Sequence, residues 1–231
     1  MLPWERMMDH PIIKAAGDSA VLVIFGDEIN KKLNDRVRSF DESVMRAEIT
    51  GIAETVPSYC ADLVYYDPEV IGFDEICQAL SDLAMGSSEE TSEEGQLVEI
   101  PVVYGGEYGP DLKDVAQITG LTEEEVIDIH TSMEYPVYML GFTPGFPYLG
   151  GMDERIACPR LEVPRTSIPA GSVGIAGSQT GVYPSETPGG WRIIGRTPLK
   201  LYDLKSEKPI LLEPGMRIRF KMIREEEASW E

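Results

Sequence analysis

The chain has 231 residues, 42% of them apolar, enough for one large domain or two smaller ones with real cores. Its 40 acidic and 20 basic residues leave a net charge of −20, which excludes a broad face for nucleic-acid phosphates or anionic lipid. No run of about 18 apolar residues predicts a membrane span, and with only His10 and His130 a histidine-rich metal site is excluded.

MLPWERMMDHP has no apolar core of the signal-peptide type. Cys60, Cys77 and Cys158 are widely spaced and odd in number, which predicts reduced thiols in a cytoplasm. Ile12–Ala16 and Ala20–Phe25 read as strands around a turn at Gly17-Asp18-Ser19. Ile29, Leu33, Val37, Phe40 and Val44 then recur on one helical face, with Asp27 or Asn30 as the cap. Ile52–Val56 and Ala61–Tyr66 form two more predicted strands. Phe73–Met85 reads as a second helix with Phe73, Ile76, Cys77, Leu80, Leu83 and Ala84 on its inner side. Strand, strand, helix, strand, strand, helix predicts a small α+β layer with both helices on one sheet face.

Gly86–Gly95, GSSEETSEEG, reads as an acidic linker, which divides the chain into domains at 1–90 and 91–231. LVEIPVVY from Leu97 is the first strand of the second unit. Pro110-Asp111 and Gly120 bracket a short helix, and Thr122 with Glu125 forms a capping box that starts another, ending near His130. From Tyr135 to Ile223 only strands and turns are predicted. Val137–Leu140, Ser172–Ile175, Trp191–Ile194, Leu199–Tyr202 and Arg217–Met222 fit a closed or nearly closed β-barrel.

Within that region, Gly141–Asp203 holds 11 of the 22 glycines and 8 of the 17 prolines, interleaved with Phe, Tyr, Trp, Ile and Val. This mixture predicts tight turns fixed between packed strands rather than a flexible linker. Six basic residues meet five acids there, so a slightly basic surface on an acidic chain is a natural place for an anionic ligand.

GIAGSQTG (174–181) lacks the Gly-Lys-Ser/Thr ending of a phosphate loop, so its glycines are either turn residues or an anion nest. His130 is either a helix-end histidine or a general acid/base. Arg160 and Arg165 each follow a proline, and a guanidinium on a stiff loop grips carboxylates; the alternative is local pairing with acids such as Glu162. No Gly-x-Ser-x-Gly is present, which rejects a serine hydrolase, and Cys158 reads as structural. Phe142, Phe146, Tyr148, Tyr183 and Trp191 are core residues or the walls of a pocket.

MLGFTPGFPYLGGMD, PRTSIPAGSVGIAG, QTGVYP and TPGGWRIIGRTPLKLYD resemble the signature of the KipI / PxpB family, also called allophanate hydrolase subunit 1 or carboxyltransferase subdomains C and D. The resemblance covers nearly the whole chain. It implies a two-layer α+β N-terminal domain followed by a cyclophilin-like β-barrel, without implying prolyl isomerase activity. It implies a subunit of an ATP-dependent 5-oxoprolinase that opens 5-oxo-L-proline to L-glutamate. The partners would be a second carboxyltransferase-like subunit (PxpC-like) and a PxpA-like subunit, with ATP acting through the assembled complex. The alternatives are inhibition of a sensor histidine kinase, or biotin-dependent carboxyl transfer in a urea carboxylase or allophanate hydrolase system. Under the enzyme reading His130 and Arg165 are the expected catalytic residues. Phe142, Pro144, Gly145, Phe146, Arg160, Gln179, Thr180, Gly189, Gly190 and Trp191 are expected to bind substrate, with no metal.

Overall fold

A computed structural model describes residues 10–86 and 95–230. Its contacts separate into two compact units that divide between Glu94 and Gly95. The residues read as a linker lie almost wholly outside the described ones.

In the first unit β1 (Ile12–Ala15) and β2 (Ala20–Ile24) form a hairpin, and Gly17 takes the positive φ of 76° that the turn needs. After α1 (Lys31–Ala47) come β3 (Ile52–Pro57), β4 (Ala61–Tyr66) and α2 (Phe73–Gly86). The sheet order is β1-β2-β4-β3, antiparallel throughout. Asn30 is the N-cap of α1; its side chain accepts from the Leu33 amide at 3.0 Å. Leu33, Val37, Phe40 and Val44 of α1 share one buried cluster with Ile76, Leu80 and Ala84 of α2 and with strand residues such as Val21, Val23 and Val64. Two apolar positions depart from the expected faces. Ile29 precedes the cap and is exposed, and Phe73 stands at the first position of α2, also exposed. Terminal positions lie beyond the stripe that the packed turns bury.

The second unit opens with β5 (Leu97–Tyr104), α3 (Leu112–Thr119) and α4 (Glu123–Ser132). Gly120 ends α3 with φ 73°. The capping box at α4 is formed on both sides: Thr122 Oγ1 accepts from the Glu125 amide, and the Thr122 amide donates to Glu125 Oε2 at 2.8 Å. Strands follow: β6 (Tyr135–Leu140), β7 (Pro147–Leu149), β8 (Arg165–Ile168), β9 (Ser172–Ala176), β10 (Gln179–Val182), β11 (Thr187–Gly189), β12 (Arg192–Arg196) and β13 (Arg217–Met222).

Seven strands form one sheet in the order β10-β9-β12-β5-β13-β6-β7. Its two edges approach each other: a Cβ on Gly181 of β10 would stand 3.4 Å from the Pro147 carbonyl of β7. The sheet is therefore a nearly closed barrel, as expected. β13 pairs in parallel with β5, so the first and last strands of the unit lie side by side. Leu199–Tyr202, expected as a strand, makes only the isolated bridge Tyr202↔Ile210. The segment follows Pro198 and joins none of the sheets, so it runs as a loop. The remaining strands, β8 and β11, form a two-stranded ribbon of their own.

Candidate functional site

Phe146, Tyr183 and Trp191 form a buried cluster with Ile168, Ala176 and Ile193, packed against Tyr148. The rings meet edge to face: Phe146 lies 5.6 Å from Trp191 and 5.4 Å from Tyr183 between centroids, near perpendicular. A pocket of about 340 Å³ opens onto this cluster. Phe142, Phe146 and Tyr148 wall one part of it. Tyr183, Trp191, Gly189, Gly190, Pro188 and Pro164 line the rest, and Arg160 supplies its charge. All five aromatics read from sequence as either core or pocket wall line it, and Phe146, Tyr183 and Trp191 are at the same time buried in the cluster. Pro164 and Pro188 lie outside the expected set, although they flank motif residues within it.

The glycine pair shapes the pocket. A Cβ at Gly189 would stand 2.6 Å from the Tyr183 hydroxyl and 2.7 Å from Ile168 Cδ1, whereas one at Gly190 meets nothing closer than Pro164 at 3.6 Å. Burial pushes the Tyr183 phenol up to about 12, against the opposing pull of the Trp191 backbone and of the Arg160 and Arg165 charges. At the rim Phe142 holds φ 64° and is exposed. A left-handed aromatic residue is a costly conformation, held here by the turn in which the Gly141 amide donates to the Phe146 carbonyl and the Phe146 amide to the Thr143 carbonyl. Pro144 and Gly145 lie on that turn but line a separate, more open depression with Ile210.

Arg160 sits on a pinned loop. Cys158 exchanges backbone hydrogen bonds with Gly177, the Leu161 amide donates to the Gly190 carbonyl at 2.8 Å, and Arg192 Nε donates to the Pro159 carbonyl at 3.0 Å. The pairing with Glu162 considered from sequence is not formed among the described residues.

Four expected site residues stand elsewhere. His130 is fully buried in the barrel core, its ring stacked 4.4 Å from Phe220. Its Nδ1 lies 2.7 Å from the Tyr104 hydroxyl and its Nε2 2.8 Å from Thr180 Oγ1. The Thr180 hydroxyl donates to the Gly174 carbonyl, which sets the ring: Nε2–H donates to Thr180, and Nδ1 accepts from Tyr104. Burial lowers the imidazole to about 3. A fully buried ring with both nitrogens hydrogen-bonded, kept neutral at pH 7 and lining neither depression, stands as a core residue rather than an acid/base at the pocket. Thr180 is committed to the same network, and Gln179, paired in register with Ala176, lines neither depression.

Arg165 is the fourth. Its Nη2 donates to Asp111 Oδ1 at 2.6 Å, and Asp111 Oδ2 accepts from the Ile193 amide at 2.6 Å. This is also why Asp111, the N-cap residue of α3, makes no side-chain cap bond. The guanidinium is thus tied internally through Nη2, while its Nη1 is buried without a hydrogen-bond partner, and nothing local in sequence announces a partner 54 residues away. The β9–β10 hairpin is no phosphate nest either, because its backbone is paired from Val173↔Val182 to Ala176↔Gln179. Burial pushes the Cys158 thiol up to about 11, so it is no nucleophile at neutral pH. No group of three or more potential ligands for a metal occurs among the described residues.

Comparison with known proteins gives this site a context. The profile of the family described as "Carboxyltransferase domain, subdomain C and D" matches residues 11–212. The chain is 47% identical over 225 residues to the B-type subunit of 5-oxoprolinase from Bacillus subtilis, covering 93% of this chain and 94% of that protein. Among solved structures it is similar to TTHA0988 (36% identical, TM-score 0.79), covering 92% of this chain but only 40% of that one. PH0987 of Pyrococcus horikoshii is 50% identical with a TM-score of 0.56, covering 94% and 99%.

Proposed function

The chain belongs to the carboxyltransferase subdomain C and D family, and we propose that it is the B-type subunit of a 5-oxoprolinase. The observation that carries this is the match to the Bacillus subtilis protein, which leaves almost none of either chain uncovered. The complex would open 5-oxo-L-proline to L-glutamate with ATP, alongside a second carboxyltransferase-like subunit and a PxpA-like one.

The pocket chemistry supports a shared task. It offers aromatic walls and one cation, but none of the residues that line it is a carboxylic acid, histidine or cysteine. Opening an unstrained amide needs proton transfer and activation of the carbonyl. A partner supplies these groups in this reading, and ATP enters through the assembled complex rather than at the β9–β10 hairpin. A cytoplasmic setting accords with Cys60, Cys77 and Cys158, all free. No helix among the described residues is long and apolar enough to cross a membrane.

The test is co-expression of the three subunits and assay of glutamate formed from 5-oxo-L-proline with ATP. Activity is expected only when this chain is present with its partners. Full turnover without this chain, or by this chain alone, overturns the reading.

A further inference from the structure

Six basic residues lie in Gly141–Asp203, and five of them are engaged within the chain. Arg155 holds Asp153, and Arg165 holds Asp111. Arg192 donates to the Pro159 carbonyl and faces Asp114 at 3.6 Å. Arg196 donates to the Ala170 carbonyl and lies over the Trp230 ring, and Lys200 faces Asp203 at 4.0 Å. Among the described residues Arg160 alone of the six has no hydrogen-bond or ion-pair partner, and it alone lines the aromatic pocket.

We infer that this pocket is the subsite for the carboxylate-bearing ring of a small substrate, with Arg160 as the carboxylate grip and Trp191 and Phe146 as the ring platform. The inference rests on the 5-oxoprolinase reading for the identity of the ring, and it places the binding role at Arg160, which lines the pocket, rather than at Arg165, which does not. Three features fit that ligand class. The guanidinium fork matches a planar carboxylate with two parallel hydrogen bonds. A volume of about 340 Å³ is at the small end of ligand pockets, which run from about 300 to 1,000 Å³. A single cation with no backbone nest beside it does not suit a polyphosphate, which takes several donors. The loop carrying Arg160 is fixed at Cys158, Pro159 and Leu161, so little side-chain ordering opposes binding beyond that of the arginine itself.

The test uses the full chain and calorimetry with 5-oxo-L-proline and with 2-pyrrolidinone, the same ring without its carboxylate. The wild-type chain is expected to bind the first at least tenfold more tightly. Arg160→Met should remove that preference, while Arg155→Met, which breaks an exposed pair outside the pocket, should keep it. Equal binding of the two rings, or an unchanged preference in Arg160→Met, overturns the inference. If the isolated chain binds neither ring, the KM of the assembled complex decides. Arg160→Met must raise the KM for 5-oxo-L-proline at least tenfold with assembly intact, and a wild-type KM sinks the subsite while leaving the subunit reading in place. If the assembled wild-type complex shows no oxoprolinase activity, the subunit reading fails, and the carboxylate preference of the chain is then judged by calorimetry alone.

Discussion

Nε2 of His130 stands 2.8 Å from Oγ1 of Thr180, a buried contact across 50 residues of chain that ties α4 to β10. Its consequence is thermodynamic. The imidazole is held near 3 when folded against an ordinary 6.5. Between those values the unfolded chain binds a proton that the folded chain refuses, so stability falls as pH falls, by up to ~1.4 kcal/mol per pH unit. His130→Gln keeps polar partners and removes the titration. Urea unfolding of the second unit at about pH 7 and pH 4.5 should show a smaller loss for the variant than for the wild type. Equal losses would remove His130 as the source. His130→Ala should cost roughly 3–5 kcal/mol through its cavity and two orphaned hydroxyls.

Arg165 and Asp111 give a second prediction. Removing the guanidinium leaves a buried carboxylate with only the Ile193 amide. The arginine side chain is about a third exposed, so solvent screens part of the pair. Arg165→Met should cost about 1–3 kcal/mol. A double-mutant cycle with Asp111→Asn should recover a coupling of at least ~1 kcal/mol. Purely additive effects would mean that the pair is not formed in solution.

The glycine pair separates shape from sequence. Gly189→Ala forces its methyl against the Tyr183 hydroxyl and Ile168, and should cost roughly 1–3 kcal/mol and weaken ligand binding. Gly190→Ala, with open contacts, should be tolerated within about 1 kcal/mol. Thermal melts of the two variants are the measurement, and equal melting temperatures would refute the contrast.

Asp62 carries an opposite pH slope in the first unit. It is fully buried; its oxygens have no hydrogen-bond partner of ordinary geometry, and the nearby Val56 and Leu63 amides only partly offset burial. Burial first, then the Asp41 charge, raises it from 3.8 to about 7. Over that window the folded unit keeps a proton that the unfolded chain releases, so stability falls as pH rises. Asp62→Asn should stabilise the first unit by roughly 2–4 kcal/mol at pH 7.5 and have little effect near pH 3.5. Hydrogen exchange resolves this unit from the other. No gain at pH 7.5 would contradict the upward shift of Asp62.

The second unit encloses its own two buried clusters. A fragment spanning 95–231 should therefore fold alone, with cooperative unfolding and a protected β5–β13 pair. Loss of amide protection across those strands would show that it depends on the first unit.

Local chemistry fixed much of this protein. Asn30 and the Thr122–Glu125 box mark helix starts because capping acts within three residues, short apolar runs mark β2 and β4, and alternation marks β13 because burial of one sheet face acts at a period of two. The Gly-Pro-flanked aromatics were legible as packed rings, but whether they are core or pocket wall was decided by the fold, which makes Phe146, Tyr183 and Trp191 both. What sequence could not rank was His130, Arg160 and Arg165, three residues equally suited to bind an anion by type. Partners 50 and 54 residues away took the first and third into internal networks. Only folding brings Thr180 and Asp111 to them, and only burial makes those contacts strong. The same packing left Arg160 lining an aromatic pocket without a hydrogen-bond or ion-pair partner among the described residues, so tertiary structure, through long-range pairing and desolvation, decided which charge faces that pocket.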